Sequence, residues 1–173
     1  HPSAGTVVRA GTLGYLPQDF QVRADQPLAG VLGIAERLAR VDRVLAGDAA
    51  AGDLDSIGAD WDLRERAEAV LARVGLSHLA LDRPALDVSG GEATRVALAG
   101  VLLAEPDFLL LDEPTNNLDA AGREALYAFV EGWTGGLLAV SHDRGLLRRM
   151  DRIVELTPAG ARVYGGGYDL YRE

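Results

Sequence analysis

An α/β fold built on a mostly parallel sheet is the architecture this sequence predicts, and three observations predict it. After residue 88, short apolar runs alternate with helical patterns, the texture of parallel strands joined by crossing helices. One of those runs, 108–111, ends abruptly in two adjacent carboxylates, Asp112 and Glu113. A buried strand that delivers acids at its C-terminal tip is how an open α/β sheet builds a site. Between residues 20 and 87 the apolar positions recur at helical spacing instead. A helical subdomain, 20–87, is therefore expected to interrupt a sheet-forming core made of 1–19 and 88–173.

The elements follow in order. Thr6-Val7-Val8-Arg9-Ala10 and Thr12-Leu13-Gly14-Tyr15-Leu16 read as short strands separated by Gly11, the second stopped by Pro17. Residues 27–46 carry Leu28, Val31, Leu32, Ala35, Leu38, Val41 and Leu45 at helical spacing, with Pro27 as a start and Gly47 as a stop. Residues 47–59 read as a solvated acidic loop. A second helix is expected from Asp60 to Val74, its apolar stripe formed by Trp61, Ala67, Val70, Leu71 and Val74, with Gly75 ending it. The core continues with a helix over 91–104, a strand over 108–111, a helix over 120–131, a strand over 137–140 and a short helix over 143–149. Residues 153–156 and 161–164, then Gly165-Gly166-Gly167-Tyr168, read as a hairpin with a glycine turn.

Composition narrows the function classes. With 173 residues, 48% of them hydrophobic, one domain with a real core is expected. The 26 acids outnumber the 17 bases, leaving −9, a field that repels nucleic-acid phosphates except at a local patch such as Arg144, Arg148, Arg149 and Arg152. No cysteine is present, which excludes thiolate metal sites and a cysteine nucleophile. No run of 18 apolar residues spans a membrane, and no signal peptide opens the chain, so the cytoplasm is the expected compartment. His1 opens mid-pattern without an initiator Met, so the chain reads as part of something longer.

Four motifs carry chemistry. Asp112 offers the hard oxygen that Mg²⁺ takes beside phosphate and water, and Glu113 next to it is placed to orient a water for attack on a γ-phosphate. Ser89-Gly90-Gly91-Glu92 puts two glycines and a hydroxyl where a helix begins, aiming free N–H groups at an anion. Gln18, just after a strand, offers an amide to the cation or the water. His142, after the strand 137–140, offers an imidazole to the γ-phosphate. Ser141-His142-Asp143 is not a hydrolase triad, because three consecutive residues cannot converge as nucleophile, base and orienter. His1 and His78 read as surface residues. The tyrosines of Tyr164-Gly165-Gly166-Gly167-Tyr168-Asp169-Leu170-Tyr171 read as packing on the domain edge rather than as a nucleic-acid stacking strip.

These residues in this order resemble the nucleotide-binding domain of the ATP-binding-cassette (ABC) ATPases, and the resemblance covers nearly the whole chain outside the insert. It implies a P-loop NTPase core of ABC type, ATP and Mg²⁺ as cofactors, and the following roles. Gln18 resembles the Q-loop glutamine, Ser89-Gly90-Gly91-Glu92 the signature motif, Asp112 the Walker B aspartate, Glu113 the general base and His142 the switch histidine. Asn116 to Asp119, with Asn117 and Asp119 toward nucleotide, resemble the D-loop. The Asn-Asn-Leu-Asp variant, Ser-His-Asp-Arg and the tyrosine-glycine ending are similar to the ABC-F branch. That branch implies soluble tandem-domain ATPases acting on the ribosome, some giving antibiotic resistance. Val88 stands where leucine is usual, Glu92 and Asn117 are variants, and the insert is short for an ABC-F arm.

The phosphate-cradling Walker A loop needs the lysine of G-x-x-x-x-G-K-[ST], and this sequence contains no lysine. Pro2-Ser3-Ala4-Gly5-Thr6-Val7 resembles the segment shortly after that loop, so the loop is expected upstream of His1. In the family ATP is sandwiched between two domains, so a second ABC domain, in the same chain or a dimer mate, is the expected partner, with the ribosome beyond it. The chain alone is then expected to be inactive and, with apolar sheet surface bare, to self-associate. Two alternatives remain at this point: a transporter's nucleotide-binding subunit with a membrane partner, and a non-enzymatic binding or scaffold module.

Overall fold

A computed structural model of the chain describes residues 6, 8, 10–18, 20, 26–166 and 168. At its centre are three parallel strands in the order β1 (Leu13–Leu16), β2 (Phe108–Asp112) and β3 (Gly136–Val140). The register between β1 and β2 is locked at their start by Thr12 and Asp107. The Thr12 N–H donates to the Asp107 carboxylate at 2.7 Å, its hydroxyl does so at 2.9 Å, and the Asp107 N–H returns a bond to the Thr12 carbonyl at 2.9 Å. The Thr12 N–H, then its hydroxyl, hold the Asp107 carboxyl below the usual carboxylate range. Of the first expected strand, 6–10, Val7 and Arg9 lie outside the described residues, and Thr6, Val8 and Ala10 belong to no strand.

One face of this sheet is covered. Leu16, Leu109 and Leu111 join Val96, Leu98, Ala99 and Leu102 of α5 (Gly90–Leu102) and Leu126, Phe129 and Val130 of α6 (Ala120–Glu131) in one buried cluster. The parallel register places Leu13 beside Phe108, Tyr15 beside Leu110 and Leu138, and Asp112 beside Val140 on the opposite face. There Tyr15 is 52%, Leu138 52% and Val140 58% exposed, so that face is bare among the described residues.

The helical insert differs from the sequence reading in three places. The single helix expected over 27–46 is two, α1 (Leu28–Val31) and α2 (Ala35–Leu45), because Gly33 takes a φ of 74° between them; Leu45 is exposed rather than on the buried stripe. The acidic stretch 47–59 is not merely solvated loop: it holds α3 (Asp53–Ile57), with Ile57 buried and Asp53 accepting from both nitrogens of the Arg43 fork at 3.2 Å. Asp60 likewise receives the Arg37 fork and Arg66. Those pairs hold the local chain in a short helical turn over 60–62, so α4 (Leu63–Arg73) starts later than expected and Trp61 is half exposed. Leu63, Ala67, Leu71 and Val74 carry the apolar stripe into the same cluster as the sheet. The ends of the insert are pinned together: Leu28 N–H donates to the Arg83 carbonyl and Ala29 N–H to that of Leu81, each at 2.9 Å.

After α6 and β3 come α7 (Arg144–Leu147) and an antiparallel hairpin of β4 (Arg152–Thr157) and β5 (Gly160–Gly165). The hairpin turns at 157–160, and Gly165 and Gly166 lie at the end of β5 instead of making the turn. Tyr168 packs as expected, buried beneath the Arg148 guanidinium, and the Tyr164 hydroxyl donates to Glu155 at 3.2 Å. Gly167 and residues 169–173 lie outside the described residues.

Candidate functional site

The C-terminal ends of the three strands meet at one place, where an open α/β sheet binds ligand. A cleft of about 270 Å³ is lined there by Gln18 after β1, Asp112 and Glu113 at the tip of β2, Asn116 and Asn117 of the following turn, and Gly90 and Thr94 of α5. Leu16, Phe20, Leu86 and Val88 give it an apolar wall.

Glu113 leaves the strand with its N–H donating to the Val140 carbonyl at 2.8 Å, then turns sharply with a φ of 46°. That left-handed backbone is costly for a side chain of this kind and collects at functional sites. Asn116 N–H closes the turn on the Glu113 carbonyl at 3.1 Å, and Asn117 takes a φ of 62°, which asparagine tolerates. The Glu113 side chain points to His142, whose Nδ1 lies 2.9 Å from Oε2. The approach is too poorly aligned to be a hydrogen bond, so this buried Oε2 accepts none, while the imidazole is 78% exposed. Among the described residues the Asp112 carboxylate makes no side-chain hydrogen bond or ion pair.

α5 starts where the Ser89-Gly90-Gly91-Glu92 pattern places it. The Ser89 hydroxyl accepts from the Glu92 N–H at 3.2 Å and the Glu92 carboxylate accepts from the Ser89 N–H at 2.8 Å, a reciprocal cap. The Ser89 N–H, then His78 at 3.1 Å on the other oxygen, hold the Glu92 carboxyl below its usual value against the opposing effect of burial. Glu92 is thereby committed to the helix end and does not line the cleft. Gly91 is buried: a Cβ there would stand 2.9 Å from the Asn117 carbonyl oxygen, so glycine lets α5 seat on the turn after β2. Asp119 caps α6, its Oδ1 accepting from the Gly122 N–H at 2.7 Å.

The structure thus brings Gln18, Asp112, Glu113, Gly90 and Asn117 to one cleft, with His142 against Glu113, and sets Ser89, Gly91, Glu92 and Asp119 at helix starts around it. Thr94 was not singled out in the sequence, yet it follows Gly90 by one helical turn, a spacing that puts both on one face; its hydroxyl donates to the Gly90 carbonyl at 3.1 Å. Asp112 and Gln18 fit Mg²⁺ by donor type, since that ion takes one or two protein oxygens and completes its shell with phosphate and water. No group of three or more His, Asp or Glu residues gathers among the described residues, so an all-protein cage is not what these side chains suit.

Fold and site together define an ATP-binding cassette domain. Residues 6–116 match the family model of the ABC transporters, and the chain belongs to that family. Within it the chain sits in the ABC-F branch, to which its curated relatives belong. It is 34% identical to the tylosin resistance ATP-binding protein TlrC of Streptomyces fradiae, over 98% of this chain and 35% of TlrC. It is 42% identical to the energy-dependent translational throttle protein EttA of Mycobacterium tuberculosis, over 65% of this chain and 20% of EttA. The probable ATP-binding protein YheS of Escherichia coli K12 is 39% identical over 69% of this chain and 19% of YheS. The chain therefore spans about a fifth to a third of the length of these relatives. The dimeric ATP-binding cassette MJ0796 bound to ADP and Pi shares the fold, with a TM-score of 0.60 and 23% identity over 83% of this chain and 57% of that one. A metal-chelate type ABC transporter in an inward-facing conformation does so with a TM-score of 0.67 and 18% identity, over 95% and 63% of the two chains. Among the described residues no helix is long and apolar enough to cross a membrane.

Proposed function

We propose that this chain is the ATP-binding and hydrolysing part of an ABC-F protein that acts on the ribosome. The observation that carries the hydrolytic reading is the meeting of Glu113, His142, Asp112 and Gln18 at the tips of three parallel strands. The core is formed by 1–19 and 88–173, and 20–87 is the helical subdomain. Glu113 accepts the proton of a water as that water's oxygen bonds to the γ-phosphorus and the bond to the bridging oxygen breaks, leaving ADP and phosphate. Glu113 lines the cleft beside Asp112 and Gln18, where such a water would stand. The exposed His142 imidazole, its Nδ1 2.9 Å from Glu113, contacts the γ-phosphate through Nε2. Asp112 and Gln18 would hold Mg²⁺, which would supply positive charge to offset that of the phosphates.

With no lysine in these 173 residues, the grip on the β- and γ-phosphates comes from elsewhere in the whole protein, and the chain alone turns over no ATP. Ser89, Gly90 and Gly91, with Asn117 and Asp119, close on ATP held by a second ABC domain, Ser89 offering its hydroxyl and α5 its free N–H groups. Glu92 supports that motif by capping it. Ribosomal action rests on the relatives, among them a translational throttle protein and an antibiotic resistance protein. It is tested by pelleting the whole protein with purified ribosomes. The Glu113→Gln form, trapped with ATP, should co-sediment and its nucleotide-free form should not; absence of both from the pellet contradicts the ribosomal reading.

A further inference from the structure

His142 is exposed, its Nδ1 lies 2.9 Å from Glu113 Oε2, and among the described residues its side chain makes no hydrogen bond, so its position depends on what holds its two neighbours. Ser141 is tied to the turn after β2: its Oγ lies 3.4 Å from the hydroxyl of the buried Thr115 and accepts from the Asp143 N–H at 3.1 Å. Asp143 is tied to α6. Its Oδ1 accepts the Tyr127 hydroxyl at 2.6 Å together with the Leu146 N–H at 2.8 Å.

Tyr127 is itself held on every side. Its ring is 7% exposed, and the Arg149 guanidinium lies over it at 4.2 Å. Arg149 in turn donates to Glu131 of α6 at 2.7 Å and to the Gly145 carbonyl at 2.8 Å, stapling α6 to α7. Gly145 lacks a Cβ where one would collide with the Tyr127 hydroxyl. Burial, then the Asp143 carboxylate, push the Tyr127 hydroxyl up to about 12, so it stays a donor throughout the physiological range. Burial opposes charge on Asp143, but the Tyr127 hydroxyl and the Leu146 and Gly145 N–H groups outweigh it and hold the carboxyl below its usual value.

We infer that Tyr127 is a positioning residue for His142: its hydroxyl, through Asp143, fixes the imidazole against Glu113 and so ties the helix that begins at Asp119 to the hydrolytic site. A plain packing role would need only the ring. The inference rests on the hydrolytic reading given above, and the tests separate the two. In the whole protein, Tyr127→Phe keeps the ring and removes one oxygen; it should lower kcat about fivefold or more while leaving KM for ATP within about twofold. In a His142→Ala background the same change should cost nothing further, because there is no imidazole left to position. An unchanged kcat, or an equal loss in both backgrounds, overturns the inference. If His142→Ala itself leaves turnover intact, the hydrolytic role of His142 fails instead, and positioning is then decided in this 173-residue chain without ATP. There, Tyr127→Phe should abolish the nuclear Overhauser contacts between the His142 ring and Glu113 and speed Leu146 amide exchange about fivefold or more, while protection in α5 is kept. Retention of both ring contacts and Leu146 protection would refute the positioning role.

Discussion

At the scale of single residues, two histidines of this chain show what a sequence does and does not reveal. His142 was legible because it follows a strand at a fixed distance from two acids, and the structure places it against Glu113. His78 carried no such signal and read as surface. It is exposed, yet it holds Glu92, 14 residues away, at the start of α5. No periodicity reports a pairing between a loop and a helix cap, so the commitment of Glu92 to structure was hidden. The left-handed backbone of Glu113 was hidden too, since glutamate is not a residue that announces a positive φ. The two histidines should separate cleanly by mutation. In the whole protein, His78→Ala should leave ATP turnover within about twofold, since an exposed side-chain pair of this kind contributes at most about 1 kcal/mol to stability. His142→Ala should lower turnover about tenfold or more, and steady-state phosphate release checks both.

Elements of the sheet were easier to read than those of the insert. Strands β2 and β3 and helix α6 sit within a residue of their expected ends because apolar runs and their polar flanks mark them. The insert departs at Gly33, whose positive φ splits the first helix, and where its local structure depends on arginine–aspartate pairs between segments 10 and 23 residues apart. In sequence Asp53 reads as part of a solvated loop and Asp60 as a helix start, but each is buried and its carboxyl is held below the usual range, first by Arg43 and Arg37 respectively. A carboxyl with a lowered folded pKa contributes stability above its unfolded value, and that contribution is lost as pH falls through the folded pKa. Thermal melts should therefore show a midpoint that falls as pH drops below about 4. Arg37→Gln should lower the midpoint near neutrality and flatten that acid dependence. An acid slope unchanged in Arg37→Gln would show that the pair does not link α2 to the turn over 60–62 energetically.

At the scale of the whole molecule, the parallel sheet and its helical insert were legible, whereas the bare face was only implied. Sequence gave strands and their order of appearance, but which face is covered depends on how α5 and α6 return across the sheet. Parallel sheets are stable with both faces covered, and here Tyr15, Leu138 and Val140 remain about half exposed on one of them. The 173-residue chain should accordingly associate as its concentration rises. Tyr15→Glu combined with Leu138→Glu should shift it toward monomer in sedimentation velocity, and a wild-type chain that stays monomeric at high concentration would show that the face is not sticky. The account as a whole turns on Glu113 as the proton acceptor for hydrolysis. The most direct measurement is the fate of bound ATP in whole protein carrying Glu113→Gln: nucleotide should remain bound and intact, with turnover reduced about 100-fold or more, whereas hydrolysis at the wild-type rate would contradict it.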